Sequence, residues 1–231
     1  MDIFLHNFSL TFQVFFIDLL LSGDNAIVIA LACKFLPKEQ MQKAILIGII
    51  FAIITRVVLT TVSNLLLFLP IVRLLGGVLL IIIAIKLMIE ESEEPSANEI
   101  NSTTSTSFVS AVQTIVVADL VMSLDNVVAL AAVIDGSVVY LIMGLLVSIP
   151  FLMYGSLIIS RLLNEFPILI KAGGALLGWI AGHIAITDTI FAQWVNTQSP
   201  ALVIIVPLLC AIFVLLQSKI IKEKSQVDRI Q

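Results

Sequence analysis

Long apolar runs recur along the whole chain and constrain its fold more than any other feature. Stretches of 20 or more residues with almost no charge follow one another from about residue 9 to about residue 220. An α-helix of about 20 apolar residues crosses a hydrocarbon core that is roughly 30 Å thick. The sequence therefore predicts an all-α polytopic membrane protein, and the lipid bilayer is its expected partner.

The composition agrees with a single membrane domain over residues 1–231. The chain is 60% hydrophobic and only 12% charged, and a soluble domain of this length would need far more charge to cover its surface. The first apolar run lacks a basic start and a small-residue cleavage site, so we expect no cleavable signal peptide. Cys33 and Cys210 lie alone in apolar context, which predicts packing rather than a disulfide or a thiolate metal site. A net charge of −4 gives no indication of a nucleic-acid partner.

Seven transmembrane helices fit the apolar runs and the breaks between them. The predicted spans are 9–33, 41–69, 71–89, 108–134, 138–163, 167–191 and 200–220. The predicted breaks are 34–40, 70, 90–107, 135–137, 164–166 and 192–199. With an external N-terminus, nine of the 12 Lys and Arg residues lie on the internal side and Arg73 alone lies outside. Because basic residues favour the cytoplasmic side, we expect the N-terminus outside and the C-terminus in the cytoplasm.

Two copies of one acidic motif divide the chain into halves. Residues 18–25 read DLLLSGDN and residues 119–126 read DLVMSLDN, and a proline followed by a glycine pair opens a later span in each half. Each half then holds three spans, so the second copy runs opposite to the first. We predict a first three-helix repeat at 1–90, a cytoplasmic linker at 91–107 and a second, inverted three-helix repeat at 108–191. An extra seventh helix follows at 200–221, and a cytoplasmic tail at 222–231. Secondary transporters are commonly built this way, although a gene duplication without transport would give the same pattern.

Each motif places its polar side chains on defined faces of a helix. Asp18, Ser22 and Asn25 are spaced i, i+4 and i+7 and therefore share one face. The second copy repeats this spacing at Asp119, Ser123 and Asn126. Asp24 and Asp125 each lie about 120° around the helix from the first aspartate of their copy. Both aspartates of one copy can face a single cavity if helices flank the motif on two sides, or if the motif helix unwinds.

One of the positions at which the two copies differ affects whether the helix can unwind. Gly23 permits the first helix to unwind between its serine and its second aspartate, whereas Leu124 takes this place in the second copy. A broken helix is therefore compatible with the first span and unsupported in the fourth.

Four aspartates within the membrane are costly to bury. Each ionised Asp costs roughly 2.5–3.5 kcal/mol at mid-membrane, so the four cost on the order of 10–14 kcal/mol. A purely structural pairing has only Arg56 and Lys86 to offer within the spans, and Lys86 lies near an internal end where its amine can reach water. We therefore interpret the aspartates as functional, and Arg56 as either a countercharge or a gating partner.

The available donor atoms favour a hard divalent cation. Carboxylate, amide and hydroxyl oxygens without a thiolate suit Mg²⁺, Ca²⁺ and Mn²⁺. The predicted metal-binding residues are Asp18, Asp24, Asn25, Asp119, Asp125 and Asn126. The predicted accessory residues are Ser22, Ser123, Arg56, Lys86 and His183. The lone histidine of the sixth span is either a packing residue or a transport ligand. No catalytic residue and no permanently bound cofactor is predicted.

At these residues the sequence resembles the TerC family of integral membrane proteins, in particular its short YjbE-type branch. The resemblance covers nearly the whole chain and rests on FFIDLLLSGDNAIVIALA, on VVADLVMSLDNVVALAAV and on the Pro…Gly-Gly spans that end in AIKLMIEE and WIAGHIAITD. It implies manganese efflux across the bacterial plasma membrane. Members have also been linked to tellurite resistance, and related families handle calcium. By resemblance, the functional acidic positions are Asp18, Asp24, Asp119 and Asp125, beside Asn25 and Asn126.

Three classes of function are open at the level of sequence. A secondary transporter fits the repeat, and no GxxxxGK[ST] motif for direct use of ATP is present. An intramembrane protease would need a GxGD pattern, but Leu21 stands where its first glycine should be, so we expect no enzyme. A metal-binding sensor or assembly partner would need the same site without a pathway. A homo-oligomer is compatible with the sequence.

Three further features have two interpretations each. The acidic run that opens the linker is either a cation-collecting mouth or a solvated connection. Asp188, near the outer end of the sixth span, either lines an exit or simply ends a helix. The glycine pairs Gly76-Gly77 and Gly173-Gly174 indicate close helix packing or a hinge.

Overall fold

The structure, a computed structural model, describes residues 2–62, 69–90, 108–133 and 138–228. The side chains not described within these ranges are those of residues 2–7, 90, 125, 128, 129, 132, 133 and 225–228. The predicted linker 91–107 and the predicted break 135–137 lie outside the described residues.

The described residues form helices and contain no strand, which confirms the predicted all-α class for this part of the chain. In chain order the helices are α1 (Asp2–Leu21), α2 (Gly23–Cys33), α3 (Lys38–Thr61), α4 (Val72–Glu90), α5 (Phe108–Val133), α6 (Val138–Glu165), α7 (Ile168–Ile186), α8 (Thr189–Gln198) and α9 (Leu202–Asp228).

Five helices are long and apolar enough to cross a membrane, namely α3, α4, α6, α7 and α9. A sixth span results when Phe8–Leu21 and Gly23–Cys33 are counted together, although they bend by 54° at the intervening residue. Helix α5 contributes a shorter apolar stretch, Phe108–Leu124. Within the described ranges the chain therefore has five or six candidate spans, compared with the seven predicted.

Large apolar side chains cover the outside of the helix bundle. Ile82, Ile158 and Leu216 are 58%, 56% and 56% exposed, and they lie on three different helices. Soluble proteins rarely expose extensive apolar surface, because water contact with it is unfavourable. Lipid tails solvate such side chains without this cost. The chain is an integral, multi-pass membrane protein.

Helix α7 packs closely against α4 on one side and α9 on another. A Cβ atom added at Gly77 would lie 2.6 Å from the carbonyl oxygen of Ala181. A Cβ atom at Gly178 would lie 2.8 Å from the Cα of Ala211. Glycine at these positions lets the backbones approach, as small residues do between membrane helices. The predicted role of Gly77 in close packing is therefore observed.

The end of the sixth predicted span differs from the prediction. We expected a helix to residue 191 and a break at 192–199, but α7 ends at Ile186 and the short helix α8 follows immediately. Asp188 is the N-cap of α8, and its carboxylate accepts a hydrogen bond from the backbone N–H of Ile190 at 3.1 Å. A cap satisfies backbone donors that the first turn of a helix leaves free, which explains why the helix restarts here.

The same carboxylate also fixes the start of α4. The two oxygens of Asp188 accept from the backbone N–H groups of Ile71 and Leu74, each at 3.1 Å. Ile71 has a φ of 74°, which is uncommon for a β-branched residue. Burial by itself raises the pKa of the Asp188 carboxyl, but the backbone donors outweigh burial and hold this pKa below its ordinary value. Asp188 is fully buried and contacts the first turns of two helices, which agrees with its interpretation as a helix-end residue.

Candidate cation site

The first acidic motif breaks its helix. Ser22 leaves helical geometry, with φ −107° and ψ 8°, and α2 begins at the next residue. In a continuous helix the backbone N–H of Asn25 would donate a hydrogen bond to the carbonyl of Leu21. Instead, this N–H donates to Asp24 Oδ1 at 2.9 Å, and the Leu21 carbonyl accepts from Asn126 Nδ2 of the second motif at 3.2 Å. The break thus frees a backbone carbonyl, and the asparagine of the second motif donates a hydrogen bond to it.

The second acidic motif lies within a continuous helix. Helix α5 runs unbroken over Phe108–Val133, and Leu124 occupies the position that corresponds to Gly23. Leucine favours a regular helix by about 0.8 kcal/mol relative to glycine, so nothing in the local sequence interrupts the backbone hydrogen bonds. The predicted difference between the two copies is therefore observed.

One arginine joins the first aspartates of the two motifs. Arg56 on α3 is 3% exposed, while Asp18 and Asp119 are 1% and 6% exposed. Its Nη1 pairs with Asp18 Oδ1, and its Nη2 lies 3.0 Å from Asp119 Oδ1. Arg56 thus pairs with the first aspartate of both copies at once, a contact that fits either of the two roles left open by the sequence, countercharge or gating partner.

The two serines complete a shell around this arginine. Ser22 donates to Asp18 Oδ1 and Ser123 donates to Asp119 Oδ2, each at 3.2 Å and each one helical turn back in its own motif. Arg56 in turn donates from Nη1 to the Ser22 hydroxyl at 2.9 Å and from Nε to the Ser123 hydroxyl at 3.3 Å. The repeated i, i+4 spacing therefore produces the same local bond in both copies.

Asn25 crosses from the first motif to the second. Its Nδ2 donates to Asp119 Oδ1 at 2.9 Å. We refer to these six interacting side chains as the central cluster: Asp18, Ser22, Asn25, Arg56, Asp119 and Ser123.

Two acceptor atoms of the central cluster have no hydrogen-bond partner among the described residues, namely Asp18 Oδ2 and Asn25 Oδ1. Both residues are buried, with exposures of 1% and 4%. An unpaired buried polar atom costs about 1–3 kcal/mol, so such atoms are uncommon in folded proteins. Carboxylate and amide oxygens are the ligands that hard cations prefer, and these two oxygens are unused.

The charges of the central cluster do not balance. Two carboxylates and one guanidinium leave a formal charge of −1 in a buried place. A divalent ion would balance the two carboxylates, but two unit charges 4 Å apart interact by about 4 kcal/mol at an effective dielectric constant of about 20, so the arginine would repel the ion by about twice that amount. The cavity beside the cluster measures about 10 Å³, roughly the space of one water molecule. In this conformation the cluster has no room for a hydrated ion.

Asp24 lies at a separate and larger cavity. This cavity measures about 300 Å³, and its polar lining consists of Asp24, Asn126, His183 and the indole-bearing Trp179. Helices α2, α5 and α7 each contribute to it, so the second aspartate of the first motif meets the last residue of the second motif there. Asp18 lies on α1 and Asp24 lies on α2, on opposite sides of the break at Ser22, and one motif therefore reaches two different places.

The predicted metal ligands are thus divided between two sites. Three of them belong to the central cluster, namely Asp18, Asn25 and Asp119, and two line the larger cavity, namely Asp24 and Asn126. The side chain of Asp125 lies outside the described residues. Where side chains are described, no group of three or more His, Cys, Asp or Glu residues is arranged to hold a metal ion.

The predicted accessory residues also separate. Ser22, Ser123 and Arg56 belong to the central cluster, and His183 lines the larger cavity. Lys86 is exposed and donates to Ser110 Oγ at 3.0 Å, as its position near a helix end indicated. Sequence reasoning missed Trp179 and the Leu21 carbonyl. The glycine break could have signalled the free carbonyl, whereas no pattern in the sequence singles out the tryptophan.

Comparison with known proteins identifies the relatives of this chain. It is 39% identical over 202 residues to the uncharacterized membrane protein YjbE of Bacillus subtilis (strain 168), which covers 87% of this chain and 90% of that protein. It is 32% identical over 171 residues to the uncharacterized membrane protein YceF of the same organism, covering 72% of this chain and 66% of YceF. No solved structure matches the chain. The model of the integral membrane protein TerC family matches residues 4–226, and the chain therefore belongs to the TerC family.

Proposed function

We propose that this protein is a secondary transporter that exports a divalent metal cation, with Mn²⁺ as the best single candidate, across the plasma membrane. The observation that carries the proposal is the meeting of Asp18 and Asp119, one from each acidic motif, at a buried cluster with unused oxygen ligands. Carboxylates at such a depth are costly, and their joint placement around one cationic group is the arrangement that a cation-binding site requires.

Seven spans in two inverted three-helix repeats are part of this proposal. The packing of the helices supports it, because the motif helix of each half packs on the second helix of the other half: α1 and α2 pack on α6, and α5 packs on α3. The third helices, α4 and α7, pack on each other. Such an exchange is expected when two similar halves are related by a two-fold axis, and transporters of this type bind substrate between the halves.

The two sites suggest a path for the ion. Asp24 and Asn126 at the larger cavity would take the ion from one side of the membrane, and Asp18, Asn25 and Asp119 would hold it between the halves. Asp125 completes the proposed ligand set by its place in the second motif. The central cluster would then be the closed point of the path, which agrees with its small cavity.

The nature of the ion follows from the ligands and the family. Oxygen donors favour a hard cation, and manganese in particular comes from the resemblance to TerC proteins. A Ca²⁺ transporter is the first alternative, since the same ligands would serve. We expect no resident cofactor and no enzymatic activity, an external N-terminus and a cytoplasmic C-terminus.

A flux measurement tests the proposal. Purified protein in proteoliposomes is expected to carry Mn²⁺ down an imposed gradient, and Asp24→Asn and Asp125→Asn are each expected to abolish this flux. Glu39→Gln, which removes an exposed carboxylate at the start of α3, is a matched control and should retain it. Absence of Mn²⁺ and Ca²⁺ flux with folded wild-type protein would contradict the transporter proposal.

A metal-binding sensor or assembly partner is the second candidate. Two observations favour it: Asp18 is buried, and the cavity beside the central cluster measures only about 10 Å³ in this conformation. Binding of Mn²⁺ by folded protein that carries no flux would support this candidate, because it requires the site but no pathway.

A further inference from the structure

We propose that Arg56 is a tethered cation that occupies the carboxylate pair when the transported ion is absent, so that the divalent ion and the Arg56 guanidinium compete for Asp18 and Asp119. This inference rests on the proposed function and deepens it, because it names the group that must leave the site before the ion can bind.

The contacts of the guanidinium are those of a cation held between ligands. Arg56 Nη1 pairs with Asp18 Oδ1, and Nη2 lies 3.0 Å from Asp119 Oδ1. The same guanidinium also donates to Ser22 and Ser123, so it contacts the equivalent aspartate and the equivalent serine of both motifs. Any ion that bridges the two motifs at these aspartates would have to take the same position.

The guanidinium uses only part of the ligand set around it. Asp18 Oδ2 and Asn25 Oδ1 are buried in the same cluster and receive no hydrogen bond from the described residues. An arginine is planar and donates only along its N–H bonds, whereas a hard metal ion accepts oxygen ligands from many directions. These oxygen ligands therefore suit a spherical cation better than they suit the guanidinium that they bind in this structure.

The charge of the carboxylate pair also favours a divalent ion over the guanidinium. The arginine leaves the pair of carboxylates with a formal charge of −1, whereas a divalent ion neutralises it completely. The ion and the guanidinium cannot share the pair, because both are positive and the adjoining cavity measures about 10 Å³. Because the two cations cannot occupy the carboxylate pair together, binding of the divalent ion requires that the Arg56 guanidinium leave it. A salt bridge that serves only stability would have no reason to leave one carboxylate uncompensated and two oxygens unused.

Equilibrium binding of Mn²⁺ to purified protein, followed by the electron paramagnetic resonance signal of free Mn²⁺, tests the competition directly. Arg56→Gln removes the competitor and is expected to bind Mn²⁺ about 10-fold more tightly than the wild type, within the range of usual coupling between two ligands. Arg56→Lys reaches the pair with a single point charge and is expected to bind more tightly than the wild type but less tightly than Arg56→Gln. Arg73→Gln, at an arginine that donates to the Thr187 carbonyl, is the control and should leave the dissociation constant unchanged.

Two further measurements separate competition from a merely structural role. Without metal, Arg56→Gln is expected to unfold at a lower temperature than the wild type, and Mn²⁺ should raise its unfolding temperature more than that of the wild type. In proteoliposomes the same variant is expected to show a lower half-saturating Mn²⁺ concentration together with a lower maximal flux, because the ion is no longer displaced from the pair. A structural role would lower flux without tightening binding.

The outcomes distinguish this inference from the proposed function. Wild-type protein that neither binds nor carries Mn²⁺ would contradict the proposed function itself. Wild-type protein that carries Mn²⁺, with Arg56→Gln and Arg56→Lys binding it as weakly as the wild type or more weakly, would overturn only the role of Arg56. If Arg56→Gln does not fold even with Mn²⁺ present, Arg56→Lys keeps the positive charge and decides the question through its dissociation constant.

Discussion

The two acidic motifs are identical at five of eight positions, yet they fold differently. The first divides into α1 and α2 with a bend of 54°, and the second continues through α5 without interruption. Among the positions that differ, the first copy has Gly23 directly after the break, whereas the second has Leu124, which favours a continuous helix. The carbonyl that the break frees, at Leu21, is satisfied by Asn126 of the intact copy. A repeat can therefore diverge locally when one copy supplies the partner that the other has lost.

The halves differ again at the countercharge. The motif copies are 101 residues apart and their later Pro…Gly-Gly segments are 97 residues apart, so the position that corresponds to Arg56 is Leu157 by the first offset and Met153 by the second. Both are apolar, and of the two corresponding positions the first half alone has the basic residue that pairs with both copies. The two halves therefore contribute matching aspartates to the central cluster but only one arginine.

The largest expected effect tests whether both copies serve one site. Asp18→Asn and Asp119→Asn should each reduce Mn²⁺ flux into proteoliposomes by about 100-fold or more, since each removes a charged ligand of the same ion. Glu39→Gln serves as the control for loss of a carboxylate. Loss of flux in only one of the two aspartate variants would mean that the copies do not share a site.

The next effect concerns the asparagines that cross between the copies. Asn25→Ala should lower the free energy of unfolding by about 2 kcal/mol, because its amide donates to the carboxylate of Asp119. Asn126→Ala should cost only about 1 kcal/mol, because its partner is the neutral carbonyl of Leu21. Denaturant unfolding in detergent measures both. An equal loss of unfolding free energy in the two variants would contradict the expected difference between the hydrogen bond to a carboxylate and the hydrogen bond to a neutral carbonyl.

The smallest effect concerns the glycine itself. Gly23→Ala meets no atom within 4 Å of its added Cβ and favours a continuous helix by about 1 kcal/mol, so the protein should fold while the bend between α1 and α2 decreases. Distances between spin labels on the outer surfaces of α1 and α2 measure the bend. As a control, Gly77→Ala should be clearly destabilising, because its Cβ would lie 2.6 Å from the Ala181 carbonyl oxygen. An unchanged bend in Gly23→Ala would assign the break to tertiary contacts instead.

Local patterns predicted the parts of the structure that depend on local geometry. The spacing of Asp18 and Ser22 predicted their shared face, and Gly23 indicated that the helix could break there. The pairing of Arg56 with both aspartates was open, because sequence separations of 38 and 63 residues leave the contact to tertiary packing. Helix α8 was missed for a similar reason. Its residues are polar enough to form a connecting loop, and the cap that starts the helix also depends on contacts with distant backbone at α4.

The most direct test of the account is a structure determined with Mn²⁺, in which anomalous scattering at the manganese edge locates the ion. We expect a peak bridged by oxygens of Asp18 and Asp119, with the Arg56 guanidinium withdrawn from both. A manganese peak found only elsewhere, with Arg56 still paired to both aspartates in protein that carries Mn²⁺, would contradict it.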